Sequence, residues 1–349
     1  MKVLILGDTD PFIYNIIRSL LPFKIDCHVF ARKRMWAVSL SKHCRGYIDV
    51  SGLSDEAVLD RINSYCVSQG ISVVIPGDFR GSRILVARRD RLAAGVSLFP
   101  SADMATLETL HNKQSFARLL KTLGIPQPKM VIVDSFSQLE ALDTRFPCIA
   151  KQVHGEGGSF ERYLKNDREA LLASGRSAAD FPLMVQEFIP GTDLCLNIFA
   201  RQGKVLACTM QEYVTPEKMR FFSSGALLEL GQKIVAAVNF EGVLNFDIRR
   251  DSRDGSFKFI ECNPRFWGSM YATTCRGMNF PALGLGLLAT PEPLQHDSGD
   301  NEYLVTRPAA RKLLKGALAW RDIPRLTRDD LKGQFADPLS FLYTVFLWS

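Results

Sequence analysis

The 349-residue sequence has few histidines, no closely spaced cysteines and no long apolar run. Its five histidines are scattered, and its eight cysteines form no Cys-x-x-Cys pair, so neither a zinc site nor a disulfide framework is expected. No stretch approaches the roughly 20 apolar residues that a membrane-spanning helix needs. The first residues also lack the apolar segment of a secretory signal, and we therefore predict a cytoplasmic protein.

Charge of either sign is not in large excess. The chain carries 43 basic and 37 acidic residues, a net charge of +6, and 46% of its residues are hydrophobic. This is the composition of a globular protein large enough for two or three domains. Most of the positive excess lies in residues 307–332. Because the rest of the chain is nearly neutral, we predict no nucleic-acid partner.

Short buried strands alternate with amphipathic helices in the first hundred residues. Strands are predicted at 3–6, 27–31 and 72–75, with helices between them. Such alternation predicts a small parallel sheet of the Rossmann-like, doubly wound kind. The turn after the first strand has a single glycine and two aspartates, Asp8 and Asp10. It therefore lacks the phosphate-binding fingerprint of a dehydrogenase.

The pattern changes at about residue 101. Further strands are predicted at 130–133, 147–151, 183–189, 194–200 and 205–210, followed by a hairpin formed by 242–249 and 257–262. The predicted organisation has three parts, the second divided into two lobes. They are an N-terminal Rossmann-like domain (1–100), a small lobe (101–185) and a larger lobe (186–290) of a second domain, and a basic C-terminal extension with an apolar end (291–349).

The final hairpin carries the most specific group of polar residues. Glu261 and Asn263 are two apart on a strand and face the same side, and the hairpin can bring Asp247 beside them. Carboxylate and amide oxygens are the ligands that Mg²⁺ prefers, which predicts a metal site. Arg265 lies two residues further on and could bind an anion. A solvated strand face is the simpler alternative, but the neighbouring residues, such as Phe246, are strongly apolar.

A lysine followed by a glycine-rich loop forms the second candidate element. Lys151 ends a predicted strand, and backbone amides of a loop containing Gly155, Gly157, Gly158 and Ser159 could hold a polyphosphate. Alone this signal is weak, because glycine loops are common. Lys113 lies in a predicted helix, where a solvent-exposed lysine is the simpler interpretation.

Taken together, the ordered motifs resemble those of the ATP-grasp superfamily, in its carbamoyl-phosphate-synthase and biotin-carboxylase-like branch. The resemblance covers roughly residues 1–288. It implies a Rossmann-like pre-ATP-grasp domain followed by a two-lobed ATP-grasp fold. The stretches that carry it are 112–116 with 124–128, 147–151 with 155–159, 185–193, and Asp247 with 261–265.

The resemblance also implies a role for each candidate residue. ATP would be bound by two lysines, the glycine loop, a hinge segment that reads adenine and an acid that binds ribose. Mg²⁺, or Mn²⁺ in its place, would be held by the hairpin, and a catalytic arginine and lysine would stabilise the transferred phosphate. The ATP-binding residues are Lys113, Lys151, Gly155, Gly157, Gly158, Ser159, Gln186, Glu187, Phe188, Ile189 and Asp193. The metal ligands are Asp247, Glu261 and Asn263, and the catalytic residues are Arg265 and Lys151.

The activity implied is that of an ATP-dependent carboxylate–amine ligase, which forms a C–N bond through an acyl phosphate and releases ADP and phosphate. The alternative is a nucleotide-binding regulatory or assembly protein with the same fold and no turnover. Expected partners are a small-molecule carboxylate and an amine, with a homodimer as a further possibility. Substrate contacts are expected near Arg220, 223–225, Asp8 and Asp78.

The apolar C-terminal end is outside the resemblance. Residues 339–348 are nearly all apolar and follow the basic segment 307–332. Packing on the ATP-grasp domain or on a second subunit is one interpretation. Peripheral contact with an anionic membrane is the other, since apolar anchors beside basic residues favour such surfaces.

Overall fold

A computed structural model of the chain describes residues 1–153, 161–289 and 301–347. The chain divides into two compact units. The first comprises Met1–Leu107, Cys195–Asn245 and Asn263–Ser349, and the second comprises Glu108–Leu194 and Phe246–Cys262. The domain limits expected from the sequence stay a prediction, because a compact unit need not coincide with a domain of the family.

The first unit begins with a five-stranded sheet in the order β3-β2-β1-β4-β5, in which all neighbouring strands are parallel. Three of its strands coincide with the apolar runs at 3–6, 27–31 and 72–75, so the prediction of these three strands is confirmed. The strands are β1 Lys2–Leu6, β2 Asp26–Ala31, β3 Cys44–Asp49, β4 Val73–Pro76 and β5 Ser97–Leu98. The unpredicted β3 is only partly buried, and β5 is two residues long.

Helices cover this sheet and lead out of it. The helices are α1 Asp10–Leu20, α2 Trp36–Ser39, α3 Asp55–Gln69, α4 Phe79–Leu85 and α5 Met104–His111. In α1, Ile13, Ile16, Ile17 and Leu20 recur at helical spacing and are fully buried, which explains why this segment docks as a helix. Helix α3 begins at Ser54, whose side chain accepts a hydrogen bond from the Ala57 amide.

The second unit contains a four-stranded antiparallel sheet in the order β6-β9-β7-β8. Its elements are α6 Lys113–Leu123, β6 Met130–Val133, α7 Phe136–Ala141, β7 Cys148–Gln152, β8 Glu161–Leu164, α8 Arg168–Ala173 and β9 Leu183–Glu187. Leu139, Leu171 and Leu183 are fully buried between helices and sheet. The predicted strands at 130–133, 147–151 and 183–189 are therefore present.

Six strands form the remaining sheet, in the order β14-β13-β10-β11-β12-β15. The elements are β10 Gly191–Arg201, β11 Lys204–Thr215, β12 Lys218–Phe222, α9 Gly225–Ala237, β13 Gly242–Asp251, β14 Phe257–Asn263 and β15 Glu302–Leu304. The predicted hairpin is formed by β13 and β14. Its turn closes when the amide of Asp251 donates to the carbonyl of Ser256 at 2.9 Å, and Gly255 takes the left-handed conformation with φ +74°.

Short helices make up the rest of the described chain. They are α10 Met270–Cys275, α11 Phe280–Gly284, α12 Thr306–Leu314, α13 Arg325–Phe335 and α14 Pro338–Leu342, with a π-helical turn at Tyr343–Leu347. None of the described helices is long and apolar enough to cross a membrane.

The C-terminal helices pack on the N-terminal helices within the first unit. The carboxylate of Asp337 accepts hydrogen bonds from the hydroxyls of Tyr14 at 3.2 Å and Ser41 at 2.5 Å. Phe341 and Val345 are buried. The apolar end therefore packs within the chain, but on N-terminal residues and on the other C-terminal helices. The expected packing partners were the ATP-grasp domain or a second subunit.

Candidate functional site

Two charged residues from separate motifs meet in the second unit. Lys113, the first residue of α6, places its Nζ 3.8 Å from Oε2 of Glu261 in β14. Both side chains are partly buried, with Lys113 at 14% and Glu261 at 30% exposure. The simpler interpretation of Lys113 as a solvent-exposed helix lysine is therefore wrong.

Aromatic packing explains why Lys113 reaches the hairpin. Phe116, one turn further along α6, stacks on Phe246 of β13 with ring centroids 6.0 Å apart. Phe246 in turn meets Phe259 of β14 edge-on at 5.3 Å. All three rings are buried, and their burial fixes α6 on the hairpin. The apolar residues between the polar ones thus position the charges.

Lys151 lies in the interior strand β7, next to the ends of both neighbouring strands. Its backbone is opposite Met184 of β9 and Glu161 of β8, and only 3% of the residue is exposed. An ammonium group this buried is stabilised only by acceptors or anions around it, a requirement that phosphate oxygens satisfy. The predicted loop residues Gly155, Gly157, Gly158 and Ser159 lie outside the described residues.

The predicted hinge follows β9 and is held by the hairpin. The Glu187 carboxylate forms an ion pair with Nη2 of Arg253 at 2.8 Å and accepts from the Lys129 amide at 3.3 Å. The ring of Phe188 lies 4.7 Å from that of Tyr163. These contacts give the hinge a defined conformation rather than that of an open loop.

Arg253 connects the hinge to a buried acid. Its guanidinium also binds both carboxylate oxygens of Asp251, at 2.7 to 3.2 Å. Hydrogen bonds from Arg253 lower the pKa of Asp251 to about 2. Asp251 therefore stays charged at neutral pH and keeps Arg253 oriented toward Glu187.

Two residues outside the hinge, Gln186 beside it and Asp193 as the ribose-binding acid, were also predicted to contact the nucleotide. Gln186 is 1% exposed, and its amide nitrogen has no hydrogen-bond partner within residues 1–153, 161–289 and 301–347. Asp193 is 59% exposed and pairs with Nη1 of Arg249 at 3.1 Å. Arg249 also lies over the ring of Phe188 at 5.0 Å. It therefore contacts both Asp193 and the hinge.

The predicted metal ligands lie on the hairpin. Asp247 in β13 and Glu261 in β14 are half-buried, whereas Asn263 is 9% exposed. Glu261 and Asn263 are two apart on β14 and so share a face. In the part of the chain that is described, no three histidine, cysteine, aspartate or glutamate side chains are grouped as for a metal. The predicted metal ligands are thus two carboxylates and one side-chain amide oxygen.

Asn263 is fixed by a chain of side-chain amides that was not predicted from the sequence. Asn263 donates to Oδ1 of Asn245 at 3.3 Å, Asn245 donates to Asn197 at 2.9 Å, and Asn197 donates to the hydroxyl of Thr209 at 3.1 Å. All four side chains are buried in the first unit. A polar Asn245 between Leu244 and Phe246 is a signal that could have revealed this network.

Arg265 is oriented by its own neighbours in the first unit. Its Nη2 donates to Oδ1 of Asn263 at 2.9 Å, and its Nη1 donates to the carbonyl of Phe266 at 2.9 Å. The guanidinium carbon lies 4.8 Å from the ring centre of Phe12. These contacts fix the guanidinium, and they leave the oxygen of Asn263 already accepting one hydrogen bond.

Asp78 and Arg220, two of the expected substrate contacts, have partners within the protein. Asp78 is 2% exposed and accepts from the amides of Asp8 at 2.6 Å, Thr9 at 3.0 Å and Gly81 at 2.9 Å. Its carboxylate stabilises the turn after β1 and the start of α4. The Nε of Arg220 donates to Glu212 at 2.7 Å. Asp78 thus has a structural role, whereas the Arg220 side chain is still 56% exposed.

Comparison with known proteins shows what this chain is similar to. A model described as ATP-grasp in the biosynthetic pathway with Ter operon matches residues 180–307. The chain is 25% identical over 164 residues to the carbamoyl phosphate synthase large chain of Pyrococcus furiosus, covering 45% of this chain and 15% of that protein. It is 24% identical over 225 residues to the D-aspartate ligase of Enterococcus faecium, covering 56% and 53%. The chain thus spans about half or less of the length of these relatives.

Solved structures share the fold at low identity. The carboxyaminoimidazole ribonucleotide synthase of Aspergillus clavatus, complexed with ATP, has a TM-score of 0.69 and 18% identity, with 91% of this chain and 86% of that one covered. The L-amino acid ligase of Bacillus licheniformis has a TM-score of 0.60 and 16% identity, covering 81% and 73%. The family model, the relatives and the solved structures agree with the resemblance to the ATP-grasp superfamily seen in the sequence.

Proposed function

We propose that the protein is an ATP-dependent carboxylate–amine ligase. In the proposed reaction a substrate carboxylate takes the terminal phosphate of ATP to give an acyl phosphate and ADP. An amine then attacks the acyl carbon and displaces phosphate, which leaves an amide. The observation that carries the proposal is the meeting of Lys113 with Glu261 at 3.8 Å, because it joins a predicted phosphate ligand to a predicted metal ligand.

The residues present fit ATP and Mg²⁺. A buried ammonium at Lys151, a second at Lys113 and an unpartnered buried amide nitrogen at Gln186 suit an anionic nucleotide with a polar base. Asp247, Glu261 and Asn263 supply the hard oxygen donors that Mg²⁺ requires. When bound, Mg²⁺ neutralises the charge that develops on the transferred phosphate.

Hydrogen bonds within the protein already use some of the hinge groups, which limits the groups that could bind a purine. The backbone amides of Glu187 and Phe188 already donate to the carbonyls of Lys129, at 2.8 Å, and Pro147, at 3.3 Å. The Glu187 carboxylate is held by Arg253. We therefore assign the remaining backbone groups of the hinge, together with the Gln186 amide, to the purine edge, and Asp193 to the ribose hydroxyls.

Catalysis in this proposal depends on positioning and charge, and no side chain acts as a nucleophile. Lys151 and Lys113 hold the phosphates. Arg265, fixed through Asn263, stabilises the negative charge of the phosphate in transfer. The catalytic roles of Arg265 and Lys151 expected from the resemblance are thus kept as part of the proposal.

The test is ADP release from the full-length chain supplied with Mg²⁺, ATP and panels of carboxylates and amines. We expect ADP formation that requires one acid and one amine together, with an amide product detectable by mass spectrometry. A regulatory or assembly protein would instead bind Mg·ATP tightly and release no ADP in response to an acid and an amine. That outcome would contradict the ligase assignment.

A further inference from the structure

Exposed apolar side chains are concentrated near the C-terminal end of the first unit. Among the residues that the structure describes, fifteen large hydrophobic side chains are exposed, and seven of them fall between residues 314 and 347. These seven are Leu314, Trp320, Phe335, Leu339, Leu342, Phe346 and Leu347. A monomeric protein rarely gathers exposed apolar groups in this way unless they form a binding surface. None of them belongs to the proposed nucleotide or metal site.

The last helical segment, formed by α14 and the π-helical turn, has one buried side and one exposed side. Phe341 and Val345 are buried against the rest of the first unit. Leu339, Leu342 and Phe346 recur at spacings of three and four residues, which places them on one face of a helix, and they are 59%, 48% and 56% exposed. We call these three side chains the C-terminal face.

The structure places an exposed tryptophan from the other end of the chain beside this segment. Trp36 of α2 is 42% exposed, and the centre of its ring lies 6.1 Å from that of Tyr343. The hydroxyl of Ser340 donates to the carbonyl of Ala37 at 2.8 Å across 303 positions of sequence, which holds α2 and α14 together. Tryptophan and tyrosine are enriched where proteins meet the boundary between lipid and water.

Basic side chains border the C-terminal face on two sides. Lys33 and Arg34 are exposed, and the guanidinium carbon of Arg34 lies 4.1 Å from the ring centre of Trp36. On α13, Lys332 is 65% exposed and lies one turn before Phe335, whose ring meets an aromatic ring of α14 edge-on at 4.9 Å. Two basic segments that are far apart in the sequence therefore flank the same apolar surface.

Acidic side chains do little to offset these charges. Residues 333–347 contain one charged side chain, Asp337, which is 2% exposed and accepts hydrogen bonds within the protein. Residues 307–332 contain eight basic and three acidic side chains. One of the three acids, Asp330, is buried against Arg18. The surroundings of the C-terminal face thus carry a net positive charge.

This combination of apolar centre and basic border decides between two possible occupants. In a symmetric dimer the C-terminal face would meet the same face of a second copy, so that basic borders would oppose each other, which is unfavourable. An anionic bilayer instead offers an apolar interior to the exposed side chains and negative headgroups to the basic ones.

We propose that the C-terminal face, together with Trp36, Lys33 and Arg34, is a docking surface for membranes that contain anionic lipid. The apolar side chains enter the headgroup region, and the basic side chains pair with lipid phosphates. The contact is peripheral and reversible, because the inserted group is small. This proposal does not depend on the ligase assignment.

The test is sedimentation of the chain with vesicles of phosphatidylcholine alone and of phosphatidylcholine with about a third of phosphatidylglycerol. The unchanged chain should sediment with the anionic vesicles at low salt and much less with the neutral ones. In 1 M salt, where the Debye length is about 3 Å, its affinity for the anionic vesicles should fall about ten-fold or more.

A pair of double variants tests the contribution of charge. Lys33→Gln with Arg34→Gln removes two exposed cations and should weaken binding to anionic vesicles about ten-fold or more. Arg61→Gln with Arg83→Gln makes the same change of charge at exposed positions on α3 and α4, which pack against the other face of the parallel sheet. This control should bind nearly as well as the unchanged chain.

A third double variant tests the apolar contact. Leu342→Ser with Phe346→Ser changes only exposed side chains, so the Tm should stay near that of the unchanged chain while vesicle binding falls about ten-fold or more. Absence of binding to anionic vesicles at low salt would overturn the proposal. So would equal binding by the Lys33→Gln, Arg34→Gln variant and the unchanged chain. A dimer that dissociates in the serine variant, without vesicle binding, would assign the face to a second copy instead.

Discussion

At the scale of single residues, Glu261 is the most sensitive position of the candidate site. Glu261→Gln removes a proposed anionic metal ligand and the charged partner of Lys113, and in the proposed ligase turnover should fall on the order of 10²-fold or more. Steady-state ADP release at saturating Mg²⁺ measures the change. Glu229→Gln, at an exposed position on α9, is the matched control and should leave turnover unchanged. Near-normal turnover in Glu261→Gln would refute the metal assignment.

Lys151 tests the nucleotide part of the site. Lys151→Met keeps the length of this buried side chain and removes its charge, so the protein should fold while the KM for ATP rises by about ten-fold or more. The exposed Lys204→Met serves as the control. An unchanged KM and an unchanged affinity for Mg·ATP would show that Lys151 does not contact phosphate.

Asp251 gives a pH dependence with a defined sign. Its pKa is lowered to about 2 in the folded protein, against about 3.9 in an unfolded chain. The folded state therefore gains stability from the charged form above about pH 4 and loses that gain as pH falls toward 2. Asp251→Asn should lower the Tm at pH 6, with a difference that shrinks at pH 2.5. A constant difference across that window would contradict the assignment.

At the scale of secondary-structure elements, α13 depends on one buried ion pair. Asp330→Ala leaves the guanidinium of Arg18, itself 3% exposed, uncompensated, and the free energy of unfolding should fall by about 3–5 kcal/mol. Urea denaturation measures it. Asp329→Ala changes the adjacent acid, which makes only an exposed contact with Lys332, and should cost less than about 0.5 kcal/mol. Similar losses in both variants would contradict this role.

The elements show which part of the fold a single sequence reveals. Strands with continuous apolar runs, such as β1 and β4, were predicted nearly to the residue, because burial on both faces leaves a strong signal. Strands β12 and β15 alternate burial over only a few residues. Strand β12 forms a hairpin with β11, but β15 pairs with β12 from far along the chain, and pairing at that distance leaves no local pattern.

The candidate site was predictable to a similar extent. Motif order predicted Lys151 and Glu261 as site residues, but not the aromatic rings that bring Lys113 to the hairpin. Nor did it reveal that Asp78 is used to cap α4, since a carboxylate that binds backbone amides and one that binds substrate look alike in sequence. Tertiary contacts decide between them.

At the scale of the whole molecule, the end of the chain is part of the first unit's core. Truncation after Asp337 removes the buried Phe341 and Val345 and the bond from Ser340 to the carbonyl of Ala37 at 2.8 Å. We expect a markedly lower Tm or loss of soluble protein. Leu339→Glu and Phe346→Glu alter only exposed side chains and should leave the Tm near that of the unchanged chain. An unaffected truncated protein would contradict this role.

Contact with an anionic membrane stays a prediction for the exposed part of that end. Sedimentation of the two glutamate variants and of the unchanged chain with anionic and neutral vesicles measures it directly. If the basic segment contributes to membrane binding, the fraction of protein that sediments with anionic vesicles should fall as the salt concentration rises.

The ion pair between Arg18 and Asp330 joins residues 312 positions apart, and this separation sets the order of events during synthesis. Helix α1 leaves the ribosome early, carrying a guanidinium whose partner has not yet been translated. The N-terminal sheet can form in the meantime, but α1 cannot reach its final environment until α13 has emerged. Long-range contacts of this kind slow folding and prolong the exposure of apolar surface. A nascent chain arrested before residue 330 should therefore be more accessible to chaperones and proteases than its complete parallel sheet would suggest.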